Sequence, residues 1–195
     1  MRKVIASEWM SLDGVIQSPS SPEEDTSDGF QYGGWHSAYL EDESMNWVME
    51  SITRAGGFLF GRRTYEIFAA HWPNASAQEQ VLAQPLNELP KYVLSRSLRA
   101  PLSWNNSSLL GTQFVEEIHD LKEVPGGDLL IVGSSELVGA LFSHDLLDEL
   151  RLMIDPVCLG GGKKLFPADG VRFPLRLVSS RAVATGALLL TYSRA

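Results

Sequence analysis

The segment running from Gly126 to Phe166, "GGDLLIVGSSELVGALFSHDLLDELRLMIDPVCLGGGKKLF", constrains the fold most tightly. Leu129–Val132 is an apolar run of strand length, broken by Gly133, and Ser135–Phe142 then reads as an apolar helix. "DELRLMIDPVCLG" supplies a second strand. A strand, a helix and another strand in so short a span make a βαβ unit, which implies parallel pairing.

The rest of the chain follows the same alternation. A first strand is predicted over Lys3–Met10, closed by the turn signal "SLDG". "QSPSSPEEDTSDGFQYGGW", Gln17–Trp35, shows neither period and is expected to be a surface loop, of a length that is usually functional or disordered. A helix is predicted over Glu41–Arg54, ended by "AGG", then a short strand over Phe58–Phe60 and a helix beginning over Arg63–Phe68. Further on come a helical turn or two at Gln78–Ala83, a strand at Lys91–Ser95, a small strand in "SSLLG" and a helix over Phe114–Lys122. Two consecutive late strands, Leu175–Ser179 and Ala187–Ser193, imply an antiparallel edge on a mostly parallel α/β sheet. Residues 1–195 are expected to form one domain.

Composition narrows the functional classes. The net charge of -8 argues against general nucleic-acid binding, which leaves a basic footprint. No stretch approaches the roughly 18 apolar residues of a membrane helix, and the N-terminus shows no leader pattern. One cysteine, Cys158, excludes an intrachain disulfide and is read as a small buried residue. A cytoplasmic location, with no membrane partner, is the expectation. The four histidines are scattered with no metal-ligand spacing, so no metal site is expected, and His144 is read as solvated.

Three strand-to-helix junctions carry the chemistry. Gly61-Arg62-Arg63-Thr64 joins a helix N-terminus, with its free N–H groups, to two guanidinium forks suited to phosphate. The competing reading is a pair of surface arginines paired with Glu66. Ser95-Arg96 closes another apolar strand, either as an anion contact or as an ordinary polar strand end. At Gly133-Ser134-Ser135 the backbone and hydroxyls suit a pyrophosphate, or else a serine simply caps its helix. All three fall at the carboxyl edge of the sheet, where open α/β folds bind ligands. "GGGKKLF" fails the P-loop pattern, and neither a GxGxxG fingerprint nor a GxSxG elbow is present.

Taken in order, "SLDG", "GRRTYE", "YVLSR", "IVGSSELV" and "LRLMIDPVCLGGGKKLF" resemble the dihydrofolate reductase-like superfamily, specifically bacterial relatives of the riboflavin-biosynthesis reductase domain. The resemblance covers nearly the whole chain. It implies a three-layer α/β/α fold with a C-terminal antiparallel hairpin, NADPH as hydride donor and a homodimer. It places Arg62, Arg63 and Thr64, after Gly61, at the adenosine 2′-phosphate, with Ser95 and Arg96 assisting. Gly133, Ser134, Ser135, Glu136 and Leu137 would take the pyrophosphate; the glycine pair the resemblance implies before that helix stands here as Gly133-Ser134, which is tolerable if Ser134 keeps a negative φ. Ala6 and Ile16 would flank the nicotinamide.

The chain departs from dihydrofolate reductases at the first helix. Where those carry a pterin-binding carboxylate, Met45 stands here, with Glu41, Asp42 and Glu43 nearby. The activity this implies is reduction of a small heterocyclic or ribityl-type substrate, like that of 5-amino-6-(5-phosphoribosylamino)uracil reductase. Glu8, Asp13, Trp35 and Trp47 are the substrate-side candidates, with packing or turn roles as their alternatives. The residues single out no proton donor. A protein that keeps the cofactor fold without turnover is the alternative function.

Overall fold

A computed structural model describes residues 1–166 and 172–195. Eight strands form one sheet in the order β4-β3-β2-β5-β1-β6-β8-β7. In chain order these are β1 (Val4–Ser11), β2 (Ala55–Gly61), β3 (Lys91–Leu94), β4 (Ser107–Leu110), β5 (Asp128–Val132), β6 (Glu149–Asp155), β7 (Leu175–Ala182) and β8 (Leu188–Arg194). Among the described residues five α-helices accompany them: α1 (Asp42–Arg54), α2 (Arg62–His71), α3 (Gln80–Glu88), α4 (Phe114–Glu123) and α5 (Ser135–Ser143). Strands β1 to β6 pair in parallel, whereas β8 pairs antiparallel with both β6 and β7. The mixed, mostly parallel α/β sheet with a C-terminal antiparallel hairpin is therefore as expected.

Strand alternation sorts the core into two layers. Val4, Ala6 and Met10 of β1, Leu59 of β2 and Ile131 of β5 face Ile118 of α4 and Val138 and Leu141 of α5. Ile5, Phe58, Phe60 and Leu130 face the opposite layer, against Ile52 of α1, Tyr65 of α2 and Leu86 of α3. Each central strand is covered on both faces, which explains its nearly continuous apolar sequence.

Several boundaries differ from the sequence reading. "AGG" begins β2 instead of merely ending α1, and β2 runs from Ala55 to Gly61. A Cβ added at Gly56 would lie 2.7 Å from the Gly127 backbone, so glycine there permits close approach of β2 to β5. The helical turn read at Gln78–Ala83 is the nine-residue α3, preceded by a 3-10 turn. Buried Lys91, beside α3, donates to the carbonyls of Leu86, Asn87 and Leu89 and lies over the Trp104 ring. Cys158 is exposed, not buried as expected, because it follows β6 in a loop outside the sheet. His144 is exposed, as read.

The Gln17–Trp35 segment is tied down by polar contacts and contains a 3-10 turn at Ser27–Gly29. Lys163 of the glycine-rich stretch donates through Nζ to Asp25 and Ser27, and its amide donates to Gln17 Oε1. Trp35 Nε1 donates to the Gln17 carbonyl at 2.9 Å. His36 and Asp155, both buried, meet at 2.7 Å, and the His36 ring stacks on Trp9.

Candidate functional site

The chain leaves β1 toward β2 on one side, whereas from β5 it crosses β1 to reach β6 on the other. This reversal opens a crevice outside the carboxyl ends of β1 and β5, the place where such sheets bind ligands. A cleft of about 1650 Å³ occupies it. That exceeds the roughly 300–1000 Å³ usual for a drug-sized ligand.

All three junctions singled out in the sequence line this one cleft. Gly61, Arg62, Arg63 and Thr64 come from the β2–α2 junction, Ser95 and Arg96 from the end of β3, and Gly133 to Leu137 from the β5–α5 junction. Neither helix has a side-chain cap: Gly61 has no side chain to offer, and the Ser134 hydroxyl makes no capping bond. The plain serine-cap alternative is thus absent, and two helix N-termini point unsatisfied first-turn amides at the same space.

Two details show the chain's own groups holding parts of this site. Arg62 pairs with Glu66 at 2.7 Å, one helical turn on, which is the surface pairing weighed as its alternative. Ser95 Oγ accepts the amides of Ser97 and Leu98, shaping its own loop.

The condition set on Ser134, a negative φ, is not met. Its φ is +79°, and Gly133 before it has φ +72°, so the backbone turns through two successive left-handed residues. Of the two, only Ser134 carries a Cβ and is strained by this conformation. The turn brings Ser134 against Gly61, where an added Cβ would come within 2.2 Å of Ser134 Oγ. Glycine at 61 leaves room for the Ser134 hydroxyl, and its own φ of -76° does not call for glycine.

The residues assigned to the nicotinamide and substrate separate. Ile16 and Glu8 line the cleft; Ala6 is fully buried beneath it in the core. Asp13, Trp35 and Trp47 are not among the lining residues. Asp13 accepts from the Ser11 hydroxyl and from the amides of Leu159 and Gly160, clamping the "SLDG" turn to the glycine-rich stretch. The Ser11 contact chiefly, with those amides, draws its carboxyl down to about 2. Trp47 is buried under the Arg151 guanidinium, 4.1 Å from ring centroid to cation. Both tryptophans take the packing role weighed as their alternative.

Glu8 is the acid among the substrate-side candidates that lines the cleft. It lies on β1, 3% exposed, with Oε2 accepting the Gly133 amide at 3.1 Å and Oε1 without a partner. Burial raises its carboxyl to about 8, opposed by the Gly133 hydrogen bond. Its register one residue past the Ser7–Val132 pairing, at a strand end beside a helix N-terminus, is the signal that could have found it. The first helix offers no such acid: Met45 lines the cleft, while Glu41 caps α1 and Glu43 pairs with Arg181.

Among the described residues no group of three or more His, Cys, Asp or Glu could hold a metal ion. No helix among them is long and apolar enough to cross a membrane.

A three-layer sheet of this order, with its cleft at the switch point and antiparallel C-terminal strands, is a dihydrofolate reductase-like fold. Residues 2–189 match the RibD C-terminal domain, and the chain belongs to that family. It is 29% identical over 193 residues to the uncharacterized protein YyaP of Bacillus subtilis (strain 168), covering 98% of this chain and 94% of that one. A protein from Shewanella sp. PV-4, provisionally assigned to riboflavin biosynthesis, superposes with a TM-score of 0.74 at 21% identity, covering 100% of this chain and 99% of the other. Dihydrofolate reductase from Enterococcus faecalis, solved with NADP(H) and RAB-propyl, gives 0.62 at 17% identity over 98% of this chain and 96% of its own.

Proposed function

We propose that the chain is an NADPH-dependent reductase of a small heterocyclic substrate, similar to the uracil reductase step of riboflavin biosynthesis, acting as one domain over residues 1–195. The observation that carries this reading is the convergence of two uncapped helix N-termini and three arginine-bearing or glycine-bearing junctions on one cleft. Family membership and the reductase neighbours support it. A cytoplasmic homodimer is the accompanying expectation.

The residues fit a phosphorylated dinucleotide. Arg62, Arg63 and Thr64, with Ser95 and Arg96, would hold its 2′-phosphate, and Ser134, Ser135, Glu136 and Leu137 would offer amides to its pyrophosphate. The left-handed Gly133-Ser134 turn and the glycine at 61 keep this approach open. Ile16 would form an apolar wall for the nicotinamide at the cleft. NADPH supplies hydride when bound; the protein's part is to orient it against an acceptor and exclude water.

A second reading, a cofactor-binding protein without turnover, is favoured by one observation: neither tryptophan assigned to the substrate reaches the cleft. Fluorescence titration with NADPH, followed by NADPH oxidation with a panel of pyrimidine and pterin acceptors, separates the two. Binding with oxidation of at least one acceptor supports the reductase. Binding without turnover across the panel supports the second reading, and no binding removes both.

A further inference from the structure

Glu8 is the feature of the cleft that dinucleotide binding does not explain. β1 sets it on the same face as Val4, Ala6 and Met10, opposite Leu152 of β6 and beside the start of α5. It is the buried carboxyl of a cleft whose other described acids, Glu23, Glu24, Asp25, Glu79 and Glu136, are all more exposed. Among the described residues no cation pairs with it, and its one hydrogen bond is from the Gly133 amide.

A carboxylate in that position is costly, because one hydrogen bond does not offset the loss of water around a full charge. The neutral acid is the favoured form, and its geometry is determined. The carbonyl oxygen of a neutral carboxyl is a better acceptor than its hydroxyl, so the Gly133 N–H favours Oε2 as the carbonyl oxygen. The proton then sits on Oε1, the oxygen that has no acceptor anywhere in the described chain. A buried donor without an acceptor is rare, and a ligand in the cleft would complete it.

We propose that Glu8 is the general acid of the reduction, delivering its Oε1 proton to the nitrogen or oxygen end of a C=N or C=O bond in a small heterocycle. This rests on the reductase reading above. Hydride from a reduced nicotinamide dinucleotide forms a C–H bond at the carbon, and the π pair moves to the heteroatom. That atom takes the proton as the Glu8 O–H bond breaks, leaving substrate reduced by two electrons, dinucleotide oxidised and Glu8 ionised. The Gly133 amide holds the carboxylate until water returns a proton. An isolated C=C bond has no heteroatom to accept this proton, so the reducible bond is an imine or carbonyl or is conjugated to one.

Other titratable groups do not fit the task. Asp13 spends its oxygens on the Ser11 hydroxyl and two amides. His36 is buried against Asp155 and is not a lining residue of the cleft. His71 pairs with Glu79 at the far end of α2. Lys163 and Asp25 pair with each other, and neither they nor Glu24 or Glu136 contributes to the raised carboxyl at Glu8, where burial dominates. A carboxyl near 8 is well matched to proton delivery at neutral pH.

The test compares the wild-type chain with Glu8→Gln, which keeps the volume and an oxygen for the Gly133 amide. Isotope-edited infrared spectroscopy of the chain alone should show a protonated carboxyl at pH 7 that is lost in the variant. Its absence from the wild type overturns the proposal. NADPH affinity should stay within about threefold, while kcat on imine or carbonyl acceptors, dihydrofolate included, falls about 100-fold or more. Undiminished kcat in Glu8→Gln with normal NADPH binding overturns the acid role alone. Failure of the wild type to bind NADPH overturns the reductase reading and this role with it, as does NADPH binding without turnover of any acceptor.

Discussion

Ser134 Oγ lies within 2.2 Å of the point where a Cβ on residue 61 would stand, so the two phosphate-facing junctions of the cleft are built against each other. The β2–α2 and β5–α5 turns come from sequence segments more than 70 residues apart, yet each sets the limit on the other. Gly61→Ala is expected to destabilise the chain by about 1–3 kcal/mol through overpacking. Ser134→Gly should recover most of that loss in the double variant. By itself it should stabilise by about 1 kcal/mol, because the left-handed φ of a serine is relieved. Urea unfolding of the four proteins reads all three outcomes.

Cofactor preference tests the arginines. Replacing both Arg62 and Arg63 by alanine removes charge-assisted hydrogen bonds worth roughly 1.5–3 kcal/mol each. NADPH binding should weaken about 100-fold or more, whereas NADH binding should change by less than about threefold. Fluorescence titration decides it, and equal loss for both dinucleotides would sink the 2′-phosphate assignment.

Glu8 should also leave a mark on stability. Its folded-state carboxyl lies near 8 against an ordinary 4.5, so the folded chain keeps the proton over a range where the unfolded chain has released it. The contribution of Glu8 to stability is therefore fully present below about 4.5 and is lost as the pH rises to about 8. At roughly 1.4 kcal/mol per pKa unit the decline is on the order of 5 kcal/mol. Glu8→Gln should flatten this slope in denaturant unfolding measured across that range. An identical slope in both proteins would contradict it.

The His36–Asp155 contact anchors the segment that rims the cleft. Burial raises the Asp155 carboxyl, and the His36 hydrogen bond opposes that rise. His36→Ala would leave Asp155 buried without its partner and remove the ring stacked on Trp9, at a cost of about 3 kcal/mol. Limited proteolysis should then cut between residues 17 and 39 faster than in the wild type. Unchanged protection would show that Lys163 and Gln17 hold the segment without it.

Much of the cleft was legible because its parts are local. Arg62, Ser95 and Gly133 each follow an apolar run, and a strand that runs into a helix delivers its last residues to the carboxyl edge whatever surrounds it. Glycines were harder to read. "AGG" looks like a helix stop, but Gly56 belongs in a strand because Gly127 passes against its backbone, a partner 71 positions away. Aromatic side chains were ambiguous for a similar reason. Trp35 and Trp47 have rings fit for stacking on a substrate, and where they go depends on distant neighbours: Trp35 donates to the Gln17 carbonyl, and Trp47 lies under the Arg151 guanidinium. "CLGGGKKLF" resembled a phosphate loop in composition, whereas its lysine reaches back to Asp25 and its amides to Asp13.

By itself the sequence determined the alternation of strands and helices, the antiparallel finish and the set of junctions able to meet an anion. These follow from side-chain periodicity and from glycine and serine at element ends, which act over a few residues. Tertiary structure alone decided that the junctions share one cleft, that Ser134 turns left-handed against Gly61, and that Glu8 is stripped of water beside the Gly133 amide. Strand order and desolvation are properties of the assembled sheet, and a carboxyl's chemistry changes once its neighbours, not its sequence context, exclude the solvent.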